Sequence, residues 1–166
     1  MKNKEVEKGC PSMIERFFEA RNVVVIGVSH NPKKVGHVIF RNLVRKFVGR
    51  VCGVNQGTKP ILGRKLYTSI ADAKNVELAV VAVKAEKVPK VVEGCGKVGI
   101  KNVIVISGGF SELGEEGKKL EQELLKICKK HGIRLLGPNT LGIYVPKYGL
   151  DTTFLSDEKI CKPRHG

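Results

Sequence analysis

Five short apolar runs, each about the length of a β-strand, recur along the chain and leave few folds open to it. They are rich in Val and Ile and occupy residues 23–28, 51–54, 78–83, 103–106 and 133–136. None shows the alternation of apolar and polar residues that a half-exposed strand requires. The runs therefore predict strands that are covered on both faces, as in a parallel sheet.

Helical patterns separate these runs along the chain. The spacing of apolar residues predicts helices near residues 12–20, 35–47, 88–98 and 113–127. Strands that alternate with helices form a parallel sheet with right-handed crossovers. We therefore predict an α/β fold, a Rossmann-like doubly wound parallel sheet of about five strands with helices on both faces.

The length of 166 residues allows one such domain. Residues 1–21 are expected to form a helical lead-in and residues 22–145 the Rossmann-like domain. Residues 146–166 are expected to form an extended tail, because they show no clear periodicity and contain two prolines.

The net charge of +14 comes from 30 basic and 16 acidic residues and favours an anionic partner. The basic residues are spread along the whole chain instead of being clustered among aromatic residues, which argues against nucleic acid. No apolar run approaches the ~18 residues of a membrane helix, so no membrane association is expected. The five cysteines have no zinc spacing, and the first residues lack the pattern of a signal peptide. We therefore expect a cytoplasmic location.

The loops after the strands carry the functional prediction, because ligands of doubly wound sheets bind at the carboxyl ends of the strands. The first loop contains Gly27, Ser29 and Gly36, small residues that let backbone N–H groups approach a phosphate. It does not match the G-x-G-x-x-G fingerprint. After the second run, Lys59 stands near the position where NAD-binding domains have an acid for the ribose. This charge suits a ligand with a phosphate on that sugar, and an ordinary turn with a solvated lysine is the alternative.

Glycines also follow the fourth and fifth runs, in Ser107-Gly108-Gly109-Phe110-Ser111 and Gly137-Pro138-Asn139-Thr140-Leu141-Gly142. Ser111 is expected to cap the next helix. Because parallel strands all point the same way, both loops are expected to meet the first loop at one edge of the sheet.

Taken in order, these motifs resemble the CoA-binding domain of ADP-forming acyl-CoA synthetases, relatives of the succinyl-CoA synthetase alpha subunit. The resemblance extends over nearly the whole chain. The matching stretches are Gly27-Val28-Ser29, Lys34-Val35-Gly36, Val54-Asn55, Ile61-Leu62-Gly63, residues 106–112 and Gly137-Pro138-Asn139. The resemblance implies coenzyme A as the cofactor, bound free or as an acyl-CoA.

The resemblance also implies a binding site of sixteen residues. They are Gly27, Val28, Ser29, Lys34, Val35, Gly36, Asn55, Lys59, Val83, Lys84, Pro89, Ile106, Ser107, Gly108, Asn139 and Thr140. By this resemblance the first loop and the helix after it hold the phosphates, Lys59 lies near the adenosine, and residues 137–142 lie near the thiol. No catalytic residue or metal ligand is assigned. Two positions depart from the family pattern, since Lys84 stands where a proline is usual and Thr140 where a cysteine is usual.

The function implied is CoA binding within an ADP-forming acyl-CoA synthetase, without catalysis by this chain alone. Its partners would be separate synthetase subunits that carry phosphohistidine and ATP-grasp domains. Two alternatives remain at this stage. One is a stand-alone module that senses or carries CoA or acyl-CoA, and the other is an NADP-binding redox protein.

Overall fold

The computed structural model describes residues 14–57, 59–155 and 163. Its strands are β1 (Asn22–Ile26), β2 (Arg50–Val54), β3 (Leu66–Tyr67), β4 (Leu78–Val81), β5 (Asn102–Val105), β6 (Arg134–Leu136), β7 (Tyr144–Val145) and β8 (Leu150–Asp151). The α-helices are α1 (Glu15–Phe18), α2 (Val35–Lys46), α3 (Val88–Lys97) and α4 (Glu115–His131). Short 3-10 turns cover Ile70–Asp72, Ala85–Lys87, Ser111–Leu113 and Pro146–Tyr148.

Six strands form one parallel sheet in the order β3-β2-β1-β4-β5-β6. β1 lies at its centre, with Val24 paired to Cys52 of β2 on one side and to Ala79 of β4 on the other. The winding direction reverses between β1 and β4, and such a switch point is where doubly wound sheets bind their ligands. The predicted Rossmann-like α/β class is confirmed.

Two apolar clusters cover the two faces of the sheet. Val24 belongs to the cluster that includes residues of α3 and α4, and its neighbours Val23 and Val25 belong to the cluster that includes residues of α2. Successive side chains of a strand point to opposite faces. Every residue of β4 and β5 is buried, so the apolar runs have no polar alternation because neither face meets water.

Three of the predicted runs continue past the ends of their strands. Val28, Val83 and Ile106 follow β1, β4 and β5 as loop residues at the carboxyl edge. β3 was not predicted, because it has only two residues and pairs with β2 through Gly53 and Val54 alone.

The helix limits differ from the predictions in small ways. α2 ends at Lys46, and α4 begins at Glu115, after Gly114 with a φ of 89°. Gly114 and not Ser111 occupies the N-cap position of α4, so the predicted capping role of Ser111 is wrong. The described part of the predicted N-terminal helix is the single turn α1, and residues 12 and 13 lie outside the described residues.

Residues 146–155 are folded against the domain, which corrects the extended tail predicted from residue 146. β7 and β8 form an antiparallel pair, and Leu150, Asp151 and Thr152 are each fully buried. The sequence shows no periodicity there because individual buried residues and hydrogen bonds hold the segment, and these do not recur at a fixed spacing. Beyond residue 155, only Pro163 of the predicted tail lies among the described residues.

Three cysteines, Cys52, Cys95 and Cys128, are buried as free thiols. Burial raises the pKa of Cys95 to about 12. Cys10 and Cys161 lie outside the described residues. Among the residues that the structure describes, no helix is long and apolar enough to span a bilayer.

Candidate functional site

Two adjoining clefts open at the carboxyl edge of the sheet, at the switch point between β1 and β4. We name them the α2 cleft, of ≈ 390 Å³, and the β2 cleft, of ≈ 420 Å³. Their shared wall consists of Gly27, Ser29, Ala82, Val83 and Lys84. The two clefts therefore adjoin along the ends of the central strands, and we refer to the pair as the groove.

Each cleft has its own outer lining. The α2 cleft is completed by Lys34, Val35, Gly36, Ile106, Ser107, Gly108 and Phe154. The β2 cleft is completed by Ile26, Val28, Val54, Asn55, Gln56, Thr68, Lys87 and Val91. The first cleft thus reaches the start of α2 and the loop after β5, whereas the second reaches the end of β2 and the start of α3.

The β1–α2 loop is held against β4 by a close backbone approach at Gly27. The φ of Gly27 is 96°, and a Cβ there would lie 2.3 Å from the carbonyl oxygen of Ala82. Its N–H donates to the carbonyl of Val54 at 3.0 Å. Only glycine combines this φ with so little space, so this residue brings the ends of β1, β2 and β4 together.

Hydrogen bonds within the loop fix its shape between β1 and α2. The Asn31 N–H donates to the Ser29 hydroxyl at 3.1 Å, and the Lys33 N–H donates to the Asn31 side chain at 2.9 Å. The buried His37 ring lies with Nδ1 2.7 Å from the Ser29 carbonyl oxygen. These contacts give the loop a defined conformation.

The start of α2 faces the α2 cleft and has the features of an anion site. Among the described residues no side chain caps this end, and the first turn contains no acidic residue. The free N–H groups and the dipole of a helix start attract phosphate. Lys34 and Val35, which both line the cleft, stand at this end, so a positive side chain adds to the effect of the backbone.

Gly36 has a packing role that the sequence analysis did not anticipate. A Cβ at this position would lie 2.1 Å from the carbonyl oxygen of Gly27. The residue is buried although it also lines the α2 cleft. Its lack of a side chain therefore lets α2 pack directly on the β1–α2 loop, in addition to leaving room for a ligand.

The loop after β5 is tied to its neighbours on both sides. The Ser107 hydroxyl donates to the carbonyl of Val83, and the Asn139 N–H donates to the carbonyl of Ser107 at 3.0 Å. These contacts join the loops that follow β4, β5 and β6. The three loops therefore form one connected edge beside the clefts.

A carboxylate fixes the same loop from within. Glu112 accepts hydrogen bonds from the N–H of Gly109 at 2.6 Å and of Phe110 at 3.1 Å. Backbone hydrogen bonds lower the pKa of the Glu112 carboxyl. The bond from the Gly109 N–H has the largest effect, and the backbone N–H groups of Glu112 and Phe110 add to it. The charged form of Glu112 is thus the one that fixes Gly109 and Phe110, directly after the cleft residue Gly108.

Twelve of the sixteen residues predicted for the site line one or both clefts. They are Gly27, Val28, Ser29, Lys34, Val35, Gly36, Asn55, Val83, Lys84, Ile106, Ser107 and Gly108. The structure therefore brings residues from four separate loops to one groove.

The other four predicted residues line neither cleft. Lys59 is exposed beyond the end of β2, and Pro89 is buried in the first turn of α3. Asn139 contacts the loop after β5 through its backbone, as described above, and its φ of 56° is left-handed. The Thr140 hydroxyl accepts a hydrogen bond from Gly142 N–H at 3.4 Å, within its own loop.

Several residues that line the clefts are not among the sixteen predicted residues. Lys87 is the most relevant of them, because it adds a positive charge to the β2 cleft. Its signal was its position just after the third apolar run and before a helix, where loops of this fold bind ligands. Phe154 had no such signal, since it lies in a segment predicted to be an extended tail.

Comparison with known proteins agrees with this geometry. A family model described as a CoA binding domain matches residues 21–146. The alpha subunits of two ADP-forming acetate–CoA ligases from Pyrococcus furiosus are similar in sequence. Ligase I is 43% identical over 147 residues, which cover 85% of this chain, and ligase II is 39% identical over 148 residues, which cover 89%.

A solved structure is similar as well. It is the dinucleotide-forming acetyl-coenzyme A synthetase 1 of Ca. Korarchaeum cryptofilum in complex with phosphate and ADP, with a TM-score of 0.79 and 38% identity. The match covers 85% of this chain and 30% of that one. The chain likewise spans 32% of each Pyrococcus furiosus subunit, so it corresponds to about a third of these relatives.

Replacing Gly36 by alanine is expected to destabilise the domain. The new Cβ would overlap the backbone of Gly27, and such overpacking costs about 1–3 kcal/mol. Gly94→Ala is the matched control, because Gly94 is also helical and its Cβ would meet only Ile70, at an ordinary 3.5 Å. Helix propensity alone favours alanine at both positions. Free energies of unfolding from urea titration should therefore fall for Gly36→Ala and stay level or rise for Gly94→Ala, and equal values would contradict the packing role.

The role of Glu112 predicts a pH-dependent effect of Glu112→Gln. A carboxyl whose pKa is lowered on folding stabilises the fold above its unfolded pKa, and this stabilisation is lost as the pH falls through the folded pKa. The variant should thus melt below the wild type at pH 7, and the gap in melting temperature should close as the pH falls below the ordinary glutamate pKa of about 4.3 and through the lowered pKa of Glu112. Glu123→Gln on the exposed face of α4 serves as control. A gap for Glu112→Gln that is unchanged at low pH would show that its cause is not the carboxylate charge.

Proposed function

Because the chain belongs to the CoA-binding domain family, we propose that it binds coenzyme A along the groove formed by the adjoining α2 and β2 clefts. The observation that carries this proposal is the uncapped start of α2 beside a groove of two cavities. Coenzyme A is long and flexible, with a diphosphate between an adenosine and a pantetheine arm. The start of α2 suits the diphosphate, and the apolar side chains of the two clefts suit the uncharged parts of the molecule.

The diphosphate is assigned to the start of α2 and the shared wall. Backbone N–H groups of the first turn, with Lys34 and Lys84, supply positive potential there. Ser29 adds a hydroxyl at the shared wall. Gly27 adds no side chain to that wall, so a phosphate can approach the backbone closely.

The adenosine is assigned to the β2 cleft. Asn55 and Gln56 follow β2 there and offer amides to a base or ribose, whereas a NAD-binding domain has an acid near this point. Val54 and Val91 offer apolar surface to the ring. The 3′-phosphate of the ribose is assigned to Lys87, which lines this cleft, in place of Lys59, which lies outside it.

The proposed biological role is that of the CoA-binding part of an ADP-forming acyl-CoA synthetase. In such a ligation CoA is a substrate and not a resident cofactor. The chain offers the binding groove, and we assign the phosphate-carrying and nucleotide-binding steps to partner domains or subunits. The relatives named as alpha subunits support an assembly of more than one chain.

Coenzyme A should raise the melting temperature of the protein more than NAD or NADP at equal concentration. A ligand that binds only the native state stabilises it by RT ln(1 + [L]/Kd), about 2.7 kcal/mol at a hundredfold excess over Kd. A parallel thermal-shift titration with CoA, acetyl-CoA, NAD and NADP is the measurement. A larger shift with NADP than with CoA would assign the groove to a redox cofactor instead.

The phosphate assignment predicts that Lys87→Ala removes the preference for CoA over dephospho-CoA. A charge-assisted contact contributes about 1.5–3 kcal/mol, which corresponds to roughly a ten- to hundredfold preference. Lys59→Ala is the matched control and should keep that preference, because its side chain is outside the β2 cleft. Calorimetric titration of both variants with CoA and with dephospho-CoA measures this preference. If only Lys59→Ala lost the preference, the 3′-phosphate would instead be assigned to the loop after β2.

A further inference from the structure

The segment after β7 is polar in sequence and yet buried. Asp151 and Thr152 have no exposed surface and Thr153 has 8%. Burial of polar groups is unfavourable unless hydrogen bonds satisfy them. Three consecutive polar residues in this state indicate a segment whose position is strongly fixed.

Hydrogen bonds within the segment satisfy part of this polarity. Asp151 Oδ1 accepts from the Thr153 N–H at 3.1 Å and from its hydroxyl at 2.7 Å. The Thr152 N–H donates to the carbonyl of Ile143 at 2.9 Å, and the Ile143 N–H donates to the Thr152 hydroxyl at 2.8 Å. The segment is therefore bound to the loop that follows β6.

A second set of bonds joins the segment to α2. The side-chain amide of Asn42, itself buried, donates to the carbonyls of Thr153 at 3.0 Å and Leu155 at 3.2 Å. These two carbonyls lie on either side of Phe154. The backbone at residue 154 is thus held from the middle of the helix whose start forms the anion site.

Phe154 is the residue that this arrangement presents to the groove. Its half-buried side chain packs on the apolar cluster beside α2 and also lines the α2 cleft. Val35, Val83 and Ile106 line the same cleft. Together the four side chains make part of the α2 cleft apolar. Binding of the phosphates does not require such apolar surface.

We propose that Phe154 is a binding residue for the pantetheine arm of the ligand, and that residues 151–155 form the rigid support that holds its ring in the α2 cleft. This proposal rests on the proposed function, which assigns the adenosine to the other cleft. The arm carries a gem-dimethyl group and methylenes, and these bury apolar surface against an aromatic ring. A support fixed before binding limits the entropy lost when the arm is ordered.

The experiment compares CoA and adenosine 3′,5′-bisphosphate on four proteins by calorimetric titration. Adenosine 3′,5′-bisphosphate carries the adenosine and the 3′-phosphate of CoA but lacks the pantetheine arm. The proteins are the wild type, Phe154→Ala, Phe154→Leu and Phe18→Ala. Phe18 is the matched control, a 40% exposed phenylalanine on α1, which precedes the first strand and lines neither cleft.

Phe154→Ala should bind CoA about tenfold more weakly than the wild type and should bind the bisphosphate equally well. Phe18→Ala should bind both ligands as the wild type does. Phe154→Leu keeps apolar volume and should show a smaller loss on CoA alone. The leucine variant also decides the matter if the alanine variant fails to fold.

Two results would overturn the inference while leaving the proposed function intact. One is wild-type affinity of the Phe154 variants for CoA, and the other is an equal loss for both ligands, which would indicate a general effect on the groove. Failure of the wild type to bind CoA would instead overturn the proposed function and the inference with it.

Discussion

The close approach of three backbone segments around Gly27 is the constraint on which the rest of the site depends. Gly27 lies against the carbonyl of Ala82, and Gly36 lies against the carbonyl of Gly27. A side chain at either position would separate β1 from β4 or α2 from its loop. The shared wall of the two clefts exists because these contacts contain no side chains. The charged side chains, the apolar lining and the helix dipole can act on one ligand only because these glycine contacts bring the backbone segments together.

The central architecture was predictable because burial on both faces leaves a strong pattern in sequence. Continuous runs such as the one that becomes β4 have few other structural explanations. β3 was not predictable in this way, since two residues cannot show a period. The folded hairpin after residue 144 was missed for a different reason, because hydrogen bonds of Asp151 and Asn42 stabilise it and such bonds leave no periodic pattern.

The candidate site was predictable where glycine and position along the fold decided it. The residues of the β1–α2 loop and of the loop after β5 reach the groove because parallel strands bring their ends to one edge. Lys59 was predicted from its positive charge and its position after β2, but a residue that follows a strand need not line the groove, and Lys59 does not. Lys87, on the 3-10 turn before α3, does line the β2 cleft and is the lysine that we propose for this phosphate. Side-chain direction in a loop depends on tertiary structure, and the sequence alone does not contain it.

The shared wall also has a consequence for how the two ends of a ligand combine. Because Val83 and Gly27 border both clefts, a molecule held in one cleft keeps its other end beside the second. The second contact then forms within the complex, at a high effective concentration set by the length and stiffness of the connecting group. Affinity for a whole ligand can thus greatly exceed that of either fragment without any additional contact. A mutation in the wall would change the coupling between the ends as well as the contacts themselves.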